Sequence, residues 1–222
     1  MKDDKLGLKK TGRYNVSGLV EAQFERGSRG RVLRNLLGIK RKRQMDDTEV
    51  EALRRAMDTL LHCYDKNHRF DASDVREMHR VWLGEIYEWA GNYRNVNVSK
   101  GEFLFAAAVQ VPVLMEKFEQ GVLTKHTPCN FKSRERVVTA LAEVHTELIL
   151  IHPFREGNGR VARILATLMA YQVGLSLLDF EPLEGRQRPE YLVAVAAGLD
   201  HNYEPMEEIF RRIIERTLRC QP

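Results

Sequence analysis

Long apolar runs are missing from this sequence of 222 residues. None approaches the roughly 20 consecutive apolar residues that a helix needs to cross a bilayer, which argues against a membrane-spanning segment. The start of the chain, MKDDKLGLKK, also lacks the apolar stretch of a signal peptide. We therefore expect a cytoplasmic protein that has no membrane partner.

Cysteine is scarce as well. Cys63, Cys129 and Cys220 lie far apart and form no C-x-x-C pair, which argues against a disulfide framework and against a zinc site with cysteine ligands. Neither a G-x-x-x-x-G-K-[ST] phosphate loop nor an H-E-x-x-H zinc motif occurs in the chain. A P-loop ATPase and a metalloprotease of that type are therefore excluded.

What is present is the composition of a folded globular protein. Hydrophobic residues make up 43% and charged residues 30% of the chain, with a formal net charge of +4. The positive excess is concentrated between residues 26 and 43, where Lys40–Arg43 form an uninterrupted basic run. A run of this kind is usually a solvated surface or a linker.

The apolar pattern divides the chain near residue 45. Residues 1–45 are rich in Gly, Lys and Arg and contain only short apolar sets, which indicates an ordered N-terminal arm. Residues 46–222 repeat apolar side chains at helical spacing and are predicted to form the core domain. We expect helices from Asp46 behind a cap at Asp47 or Thr48, from Asp71 to near Gly91, and over residues 109–120, 133–151, 158–173, 189–199 and 205–218.

A short β-hairpin is predicted between Tyr93 and Phe105. Val96 and Val98 alternate there with polar residues, and Lys100 and Gly101 stand at a plausible turn. The chain shows no internal repeat and no alternation of strands and helices. The predicted fold class is therefore mostly α, a helical bundle with one short β-hairpin.

A polar, glycine-spaced segment, HPFREGNGR, separates the two most hydrophobic helices. Its glycines, Gly157 and Gly159, allow the backbone to come close to a ligand, and the free N–H groups that open the next helix favour an anion. Arg160 and Arg163 are three residues apart, so we expect both near one helical face. The combination predicts a cradle for a polyphosphate.

The other polar residues of this segment complete a site for phosphoryl-type transfer. Glu156 is its one acidic side chain and could hold Mg²⁺ beside the phosphates. Asn158 could donate a hydrogen bond to a phosphate oxygen, and the imidazole of His152 could take a proton from an attacking hydroxyl. Phe154 is expected in the core. A plain connector with a structural histidine is the alternative, but it does not explain why so many polar groups crowd between buried helices.

Residues 152–163, HPFREGNGRVAR, resemble the Fic signature H-x-F-x-[D/E]-G-N-G-R-x-x-R at every specified position. The resemblance extends from about Arg13 over most of the chain and includes the segment Gly91–Arg94. It implies an α-helical Fic fold, ATP as substrate and Mg²⁺ as cofactor. The implied activity is that of a protein adenylyltransferase, which moves AMP onto a Ser, Thr or Tyr hydroxyl of a target protein and releases pyrophosphate.

The resemblance also implies a role for each matching residue. His152 would be the base, Glu156 the Mg²⁺ ligand, and the phosphates would lie against Gly157, Asn158, Gly159, Arg160 and Arg163. Tyr191 would line the adenine pocket. The predicted hairpin would be a flap that binds the main chain of the target protein as an added strand, and its residues are Lys100, Gly101, Glu102 and Phe103.

An N-terminal inhibitory helix is a further implication. Many Fic proteins carry the pattern [S/T]-x-x-x-E-[G/N], and the stretch from Ser17 to Glu21 fits its first five positions, while the sixth is Ala22. The Glu21 carboxylate would then compete with the nucleotide for Arg163 by charge pairing. An ordinary exposed glutamate is the alternative.

Two other functions remain open at this point. A Fic-type enzyme could use another nucleotide or remove AMP from its target. The basic arm could instead belong to a non-catalytic interaction module that binds an acidic partner or nucleic acid. Nucleic acid is not favoured, because no aromatic residues alternate with the basic ones. The sequence also leaves open whether the chain forms a homodimer.

Overall fold

The protein is described here from a computed structural model that covers residues 18–100, 103–180 and 188–219. These residues form a helical structure with a short antiparallel hairpin, which confirms the predicted fold class. The helices are α1 (Lys42–Cys63), α2 (Ala72–Leu83), α3 (Val111–Phe118), α4 (Thr124–His126), α5 (Arg134–Ile151), α6 (Asn158–Gln172), α7 (Arg188–Ala197) and α8 (Glu204–Arg219), and the strands are β1 (Ser99–Lys100) and β2 (Phe103–Leu104).

The centre of the fold is the pair α5 and α6. Both helices are apolar on most sides and are buried along nearly their whole length, as expected for α5 from its sequence. They pack against each other, α8 packs on α5, and α2 packs on α6. The connection between α5 and α6 is therefore anchored at both ends by a buried helix.

Helix α2 begins where the sequence predicts and ends earlier. Asp71 and Asp74 form a capping box, in which each carboxylate accepts a hydrogen bond from the other residue's backbone N–H. Such a cap stabilises a helix by about 1 kcal/mol. The predicted end near Gly91 is wrong, because α2 stops at Leu83. Ile86 and Trp89 are buried from the turns that follow, and their spacing imitates a continuing helix.

Helix α1 begins four residues before the predicted start. The expected cap is wrong because Thr48 lies inside the helix, where its hydroxyl donates to the carbonyl of Gln44. The apolar residues at helical spacing in this helix include Val50, which is nevertheless 62% exposed. The face that is buried instead consists of Met45, Glu49, Ala52, Ala56 and Leu60.

The described part of the N-terminal arm packs on the same core. Phe24 and Leu33 form an isolated antiparallel bridge, and Val32, Leu33 and Ile39 are buried with the residues of the helices. The basic run Lys40–Arg43 is exposed, as expected for a solvated surface. The proposed boundary at residue 45 stays a prediction, although α1 already starts within the arm.

The described residues include two of the three cysteines and the helices that bear on the predicted absence of a membrane span. Cys63 is exposed and Cys129 is buried, and both are free thiols. Cys220 lies outside the described residues. Among the helices that the structure describes, none is long and apolar enough to cross a bilayer.

We expect the protein to lose stability as the pH falls from about 6.5 to about 4, because His79 and His145 are among the histidines buried in the neutral form. Burial lowers the pKa of His79 to about 4 and that of His145 to about 3. Unfolded histidine titrates near 6.5, so the unfolded chain binds more protons in this range. The free energy of unfolding should fall by up to about 1.4 kcal/mol per pH unit for each histidine.

Chemical denaturation between about pH 7.5 and about pH 4.5 measures this loss. His145→Gln removes one of the two rings and should make the pH dependence shallower. His201→Gln is the matched control, because the His201 side chain is 81% exposed. An unchanged slope in His145→Gln would show that His145 is not buried neutral.

Candidate functional site

The connection between α5 and α6 is built on two left-handed residues. His152 follows the last turn of α5 with φ 53° and ψ 59°, and Gly157 precedes α6 with φ 84°. The left-handed conformation costs a non-glycine residue about 1–2 kcal/mol. The His152 backbone is held there by its own N–H, which donates to the Leu148 carbonyl, and by contacts with Arg94 that are described below.

The two glycines of the loop, Gly157 and Gly159, meet different structural constraints. A methyl group at Gly157 would lie 2.6 Å from the Trp82 ring, so both its φ and its close packing require glycine. At Gly159 the backbone is helical, and no atom of the described residues lies within 4 Å of the methyl position. Gly159 therefore leaves an open side at the first turn of α6, where backbone N–H groups favour an anion.

The floor of the loop is the stacked pair Phe154 and His79. Phe154 is fully buried, as expected from the sequence, and its ring lies 3.9 Å from the His79 ring at an angle of 11°. His79 Nδ1 accepts a hydrogen bond from Gly91 N at 2.8 Å. Since Nδ1 is the acceptor, Nε2 carries the proton and donates to the Glu156 carbonyl at 3.1 Å.

Sequence reasoning missed His79. It lies 77 positions before the carbonyl that it binds, and no local pattern connects the two. The one available signal was a polar residue next to Met78 on the buried side of α2. A buried histidine of this kind fixes the loop backbone that carries the Glu156 carboxylate.

The Asn158 side chain is used inside the loop. Its Oδ1 accepts from the Phe154 N–H and its Nδ2 donates to the Phe154 carbonyl, both at 2.8 Å. From the sequence we expect this side chain to donate to a phosphate oxygen. In the structure it braces the turn instead, and the part of Asn158 that faces the cradle is its backbone N–H at the start of α6.

The imidazole of His152 is oriented by two contacts. Nδ1 lies 3.2 Å from the Ile149 carbonyl, so this nitrogen carries the proton and Nε2 keeps the lone pair. The ring stacks on Phe105 at 3.6 Å. Burial lowers the pKa of His152 to about 3, and the charges of Arg94 and Lys100 lower it further. His152 is therefore a neutral base at any physiological pH.

The predicted hairpin lies beside this histidine. Ser99 pairs with Leu104 and Lys100 with Phe103 in an antiparallel register. Phe103 packs edge-on against Phe105, which is the residue stacked on His152. The other two residues assigned to the flap, Gly101 and Glu102, lie outside the described residues. The structure thus brings the described flap residues and His152 together.

Glu156 has the chemistry that a magnesium ligand needs. Its side chain is 30% exposed, and Oε1 accepts from the Gly157 N–H at 3.1 Å. Across residues 18–100, 103–180 and 188–219, no group of three or more His, Cys, Asp or Glu side chains could hold a metal alone. Mg²⁺ is usually held by one or two carboxylates and by substrate phosphates, so a single carboxylate beside an anion cradle fits this ion.

Arg160 is paired with a residue that sequence reasoning missed. Its Nη1 donates to the Glu49 carboxylate at 2.8 Å, and its guanidinium lies 4.6 Å from the centre of the Trp82 ring. Glu49 is only 3% exposed and also accepts from the Tyr87 hydroxyl at 2.7 Å. A glutamate on the buried face of α1 was the available signal, because a buried carboxylate needs a partner.

Arg163 points to a different part of the molecule. Its guanidinium lies 5.8 Å from the centre of the Phe180 ring, and its charge lowers the pKa of His145, although burial is the larger cause. Tyr191 lies in the same place, where its hydroxyl is 2.9 Å from His145 Nε2. Arg160 and Arg163 both lie in α6 but contact different neighbours, so their placement on one helical face stays a prediction. Tyr191 and Arg163, by contrast, are brought together.

Glu21 lies on the other side of the loop, in the short 3₁₀ turn Val20–Ala22. It is only 6% exposed, so the interpretation as an ordinary exposed glutamate is wrong. Its carboxylate accepts from the Asn95 N–H at 2.8 Å, and its carbonyl accepts from Arg155 Nε at 3.0 Å. The expected pairing with Arg163 is replaced here by a tie between the arm and the loop. Ser17 lies outside the described residues.

Comparison with known proteins shows which family this site resembles. Residues 69–170 match the Fic/DOC family. The matched segment contains α2, the hairpin, α5, the loop with its phosphate-cradle residues and most of α6. Residues 69–170 therefore form a Fic domain.

Two relatives of the Fic domain are named as adenylyltransferases. The probable protein adenylyltransferase y4lH of Sinorhizobium fredii is 27% identical over 184 residues, which cover 82% of this chain and 91% of the relative. The protein adenylyltransferase VbhT of Bartonella schoenbuchensis is 28% identical over 181 residues. The match again covers 82% of this chain but only 37% of VbhT, so the chain spans little more than a third of that relative.

A solved Fic domain has the same fold. The N-terminal Fic domain of a VirB-translocated Bep effector protein from Bartonella quintana, with bound ADP, is 26% identical and superposes with a TM-score of 0.68. The superposition covers 86% of this chain and 94% of that chain. The helical bundle with its hairpin is therefore the Fic fold.

Gly157→Ala should lower the free energy of unfolding by about 2–4 kcal/mol, because the added methyl overlaps Trp82 and the residue stays at positive φ. Gly159→Ala is the matched control. Its methyl enters open space in a helical backbone, so the free energy of unfolding should change by no more than about 1 kcal/mol. Urea denaturation measures both variants, and equal losses would contradict the packing described here.

Glu21→Ala should destabilise the Fic domain by about 1–3 kcal/mol, because the Asn95 N–H loses its bond to a buried carboxylate. Glu21→Gln keeps an acceptor oxygen and should lose less. Urea denaturation and an AMP-transfer assay should be run on both variants. A rise in transfer with unchanged stability would favour the inhibitory role expected from the sequence over the tie seen in the structure.

Proposed function

We propose that the protein is an adenylyltransferase that moves AMP from ATP to a hydroxyl side chain of a target protein. The observation that carries this proposal is the neutral His152 ring, whose Nε2 keeps its lone pair at the end of a loop that leads into the anion-favouring first turn of α6. The names of the two relatives support transfer of AMP, and the ADP bound to a solved Fic domain supports a nucleotide at this site.

The chemical step follows from the position of His152. Its Nε2 accepts the proton of a Ser, Thr or Tyr hydroxyl on the target, while the hydroxyl oxygen attacks the α-phosphorus of ATP. A bond forms between the target oxygen and the α-phosphorus, and the bond to the bridging oxygen of the β-phosphate breaks. AMP stays on the target and pyrophosphate leaves.

The loop supplies the positive electrostatic environment for the phosphates. Backbone N–H groups of Asn158 and Gly159 open α6, and the open side at Gly159 gives a phosphate access to them. Arg160 and Arg163 add charge from two sides of the cradle. When bound at Glu156, Mg²⁺ would neutralise charge that builds up on the phosphates.

The flap presents the target to His152. In the hairpin Ser99 pairs with Leu104 and Lys100 with Phe103, next to the His152 ring that accepts the proton. An extended segment of the target that pairs with this hairpin would bring its hydroxyl to Nε2 by main-chain hydrogen bonds. Tyr191, beside Arg163, is the residue that we assign to the adenine end of the nucleotide.

His152→Ala should reduce AMP transfer by at least about 100-fold, because general-base catalysis typically contributes 10²- to 10⁴-fold. The assay is transfer of label from α-labelled ATP with Mg²⁺ to the proteins of a cell lysate. Binding of ATP, measured by calorimetry, should remain, since His152 is not part of the phosphate cradle. Transfer that persists in His152→Ala would place the base elsewhere.

The pH profile of the same assay is a second readout. Because the pKa of His152 is lowered to about 3, its protonation should not reduce the rate between pH 8 and 5, by the rule that a base works only when deprotonated. His201→Ala serves as the control for a general loss of histidine. Labelling with other nucleotides, or loss of label from modified proteins, would instead indicate a different donor or AMP removal.

A further inference from the structure

Arg94 is a buried cation at the point where the flap meets the catalytic loop. The residue is 1% exposed. Its Nε donates to the His152 carbonyl at 2.7 Å, Nη1 to the Val96 carbonyl at 2.9 Å and Nη2 to the Ala106 carbonyl at 2.5 Å. Its own backbone N–H donates to the Pro153 carbonyl at 2.9 Å. One residue therefore binds both the flap and the loop.

The two flap acceptors lie on opposite sides of the hairpin. Val96 lies three positions before the start of β1, and Ala106 lies two positions after the end of β2. A single guanidinium thus closes the base of the flap and, through Nε, connects it to the carbonyl of His152. A shift at the base of the flap must then either move the His152 backbone or break these bonds.

The charge of Arg94 is kept at a cost. Burial lowers its pKa to about 10, and the nearby Glu21 carboxylate opposes that shift. The group still carries its proton at neutral pH. A buried charge is expensive unless its hydrogen bonds are made, and here every described acceptor of the guanidinium is a backbone carbonyl. Such bonds define backbone position and do not depend on which side chains surround them.

We propose that Arg94 is a positioning residue that couples the base of the flap to the orientation of the His152 imidazole. Pairing of a target strand with the flap would then be transmitted to the base through the guanidinium. This inference rests on the proposed function, in which His152 takes the proton of the target hydroxyl. The described bonds of the Arg94 guanidinium are with backbone carbonyls of the chain itself, so Arg94 acts through the flap and His152.

Arg94→Lys is the variant that tests this coupling. Lysine keeps the positive charge but lacks the planar fork of N–H donors, so it cannot reach three separated carbonyls. Arg76→Lys is the matched control. Arg76 also donates to a loop carbonyl, that of Gly91 at 2.8 Å, and lies over the Tyr93 ring, but it has no bond to the flap or to His152.

Hydrogen exchange of the full-length chain gives a readout that does not need activity. In Arg94→Lys, amides of residues 96–106 and of residues 150–154 should exchange at least about tenfold faster, because both segments lose the same donor. The amides of α8 should be unchanged. Arg76→Lys should leave all three segments as in the wild type. Faster exchange in the flap alone, or in all segments equally, would overturn the proposal.

The wild-type protein provides a second measurement in case Arg94→Lys does not fold. Under low denaturant, the amides of Arg94, Phe105 and His152 should open with one common free energy, since the Arg94 side chain bonds the base of the flap to the His152 carbonyl. A His152 amide that stays protected while the Phe105 amide exchanges would show that flap and loop open independently, and the coupling would be wrong.

The activity of Arg94→Lys separates positioning from a simple loss of structure. Transfer of label at saturating ATP should fall at least about tenfold while the affinity for ATP with Mg²⁺ stays within about twofold, because only the base is displaced. Its transfer should also acquire an acidic limb below about pH 6.5, because the pKa of a more solvated His152 ring rises toward its ordinary value. A weaker ATP affinity with an unchanged profile would indicate a structural role alone. Absence of transfer in the wild type would refute the proposed function but would leave the exchange result valid.

Discussion

The stacking of Phe154 on His79 is the contact on which the site depends. It anchors the loop between α5 and α6 to α2, and it leaves both nitrogens of His79 in use, one on Gly91 and one on the Glu156 carbonyl. A charged imidazole could not accept the hydrogen bond from the Gly91 N–H, so this contact requires that His79 is neutral. Every other residue of the loop takes its position from this floor.

The electrostatics of the site follow from the same burial. Two neutral histidines, His79 and His152, lie close to several arginines, and their low pKa values keep the imidazoles from adding further positive charge. Arg160 is partly neutralised by Glu49, whereas Arg163 lies toward Tyr191 and the Phe180 ring. Positive charge is therefore spread along the cradle, which suits a polyphosphate better than a single anion.

The sequence predicts those parts of the fold and the site that depend on residues close together in the chain. The helix start at Asp71, the hairpin and the signature around His152 all depend on a few neighbouring residues, and the structure has α2 behind Asp71 and a hairpin over Ser99–Lys100 and Phe103–Leu104. The end of α2 and the exposure of Val50 were missed, because apolar spacing does not distinguish a continuing helix from buried turns. The roles of His79 and Glu49 rest on contacts with residues far along the chain, and the sequence signals only that a polar residue lies on a buried helix face.

The most direct measurement is a crystal structure of the protein with ATP and Mg²⁺. The account predicts the phosphates against the first turn of α6, the metal at Glu156 and Nε2 of His152 facing the α-phosphorus, with the adenine toward Tyr191. Nucleotide bound away from this loop, or an α-phosphorus out of reach of His152, would contradict it.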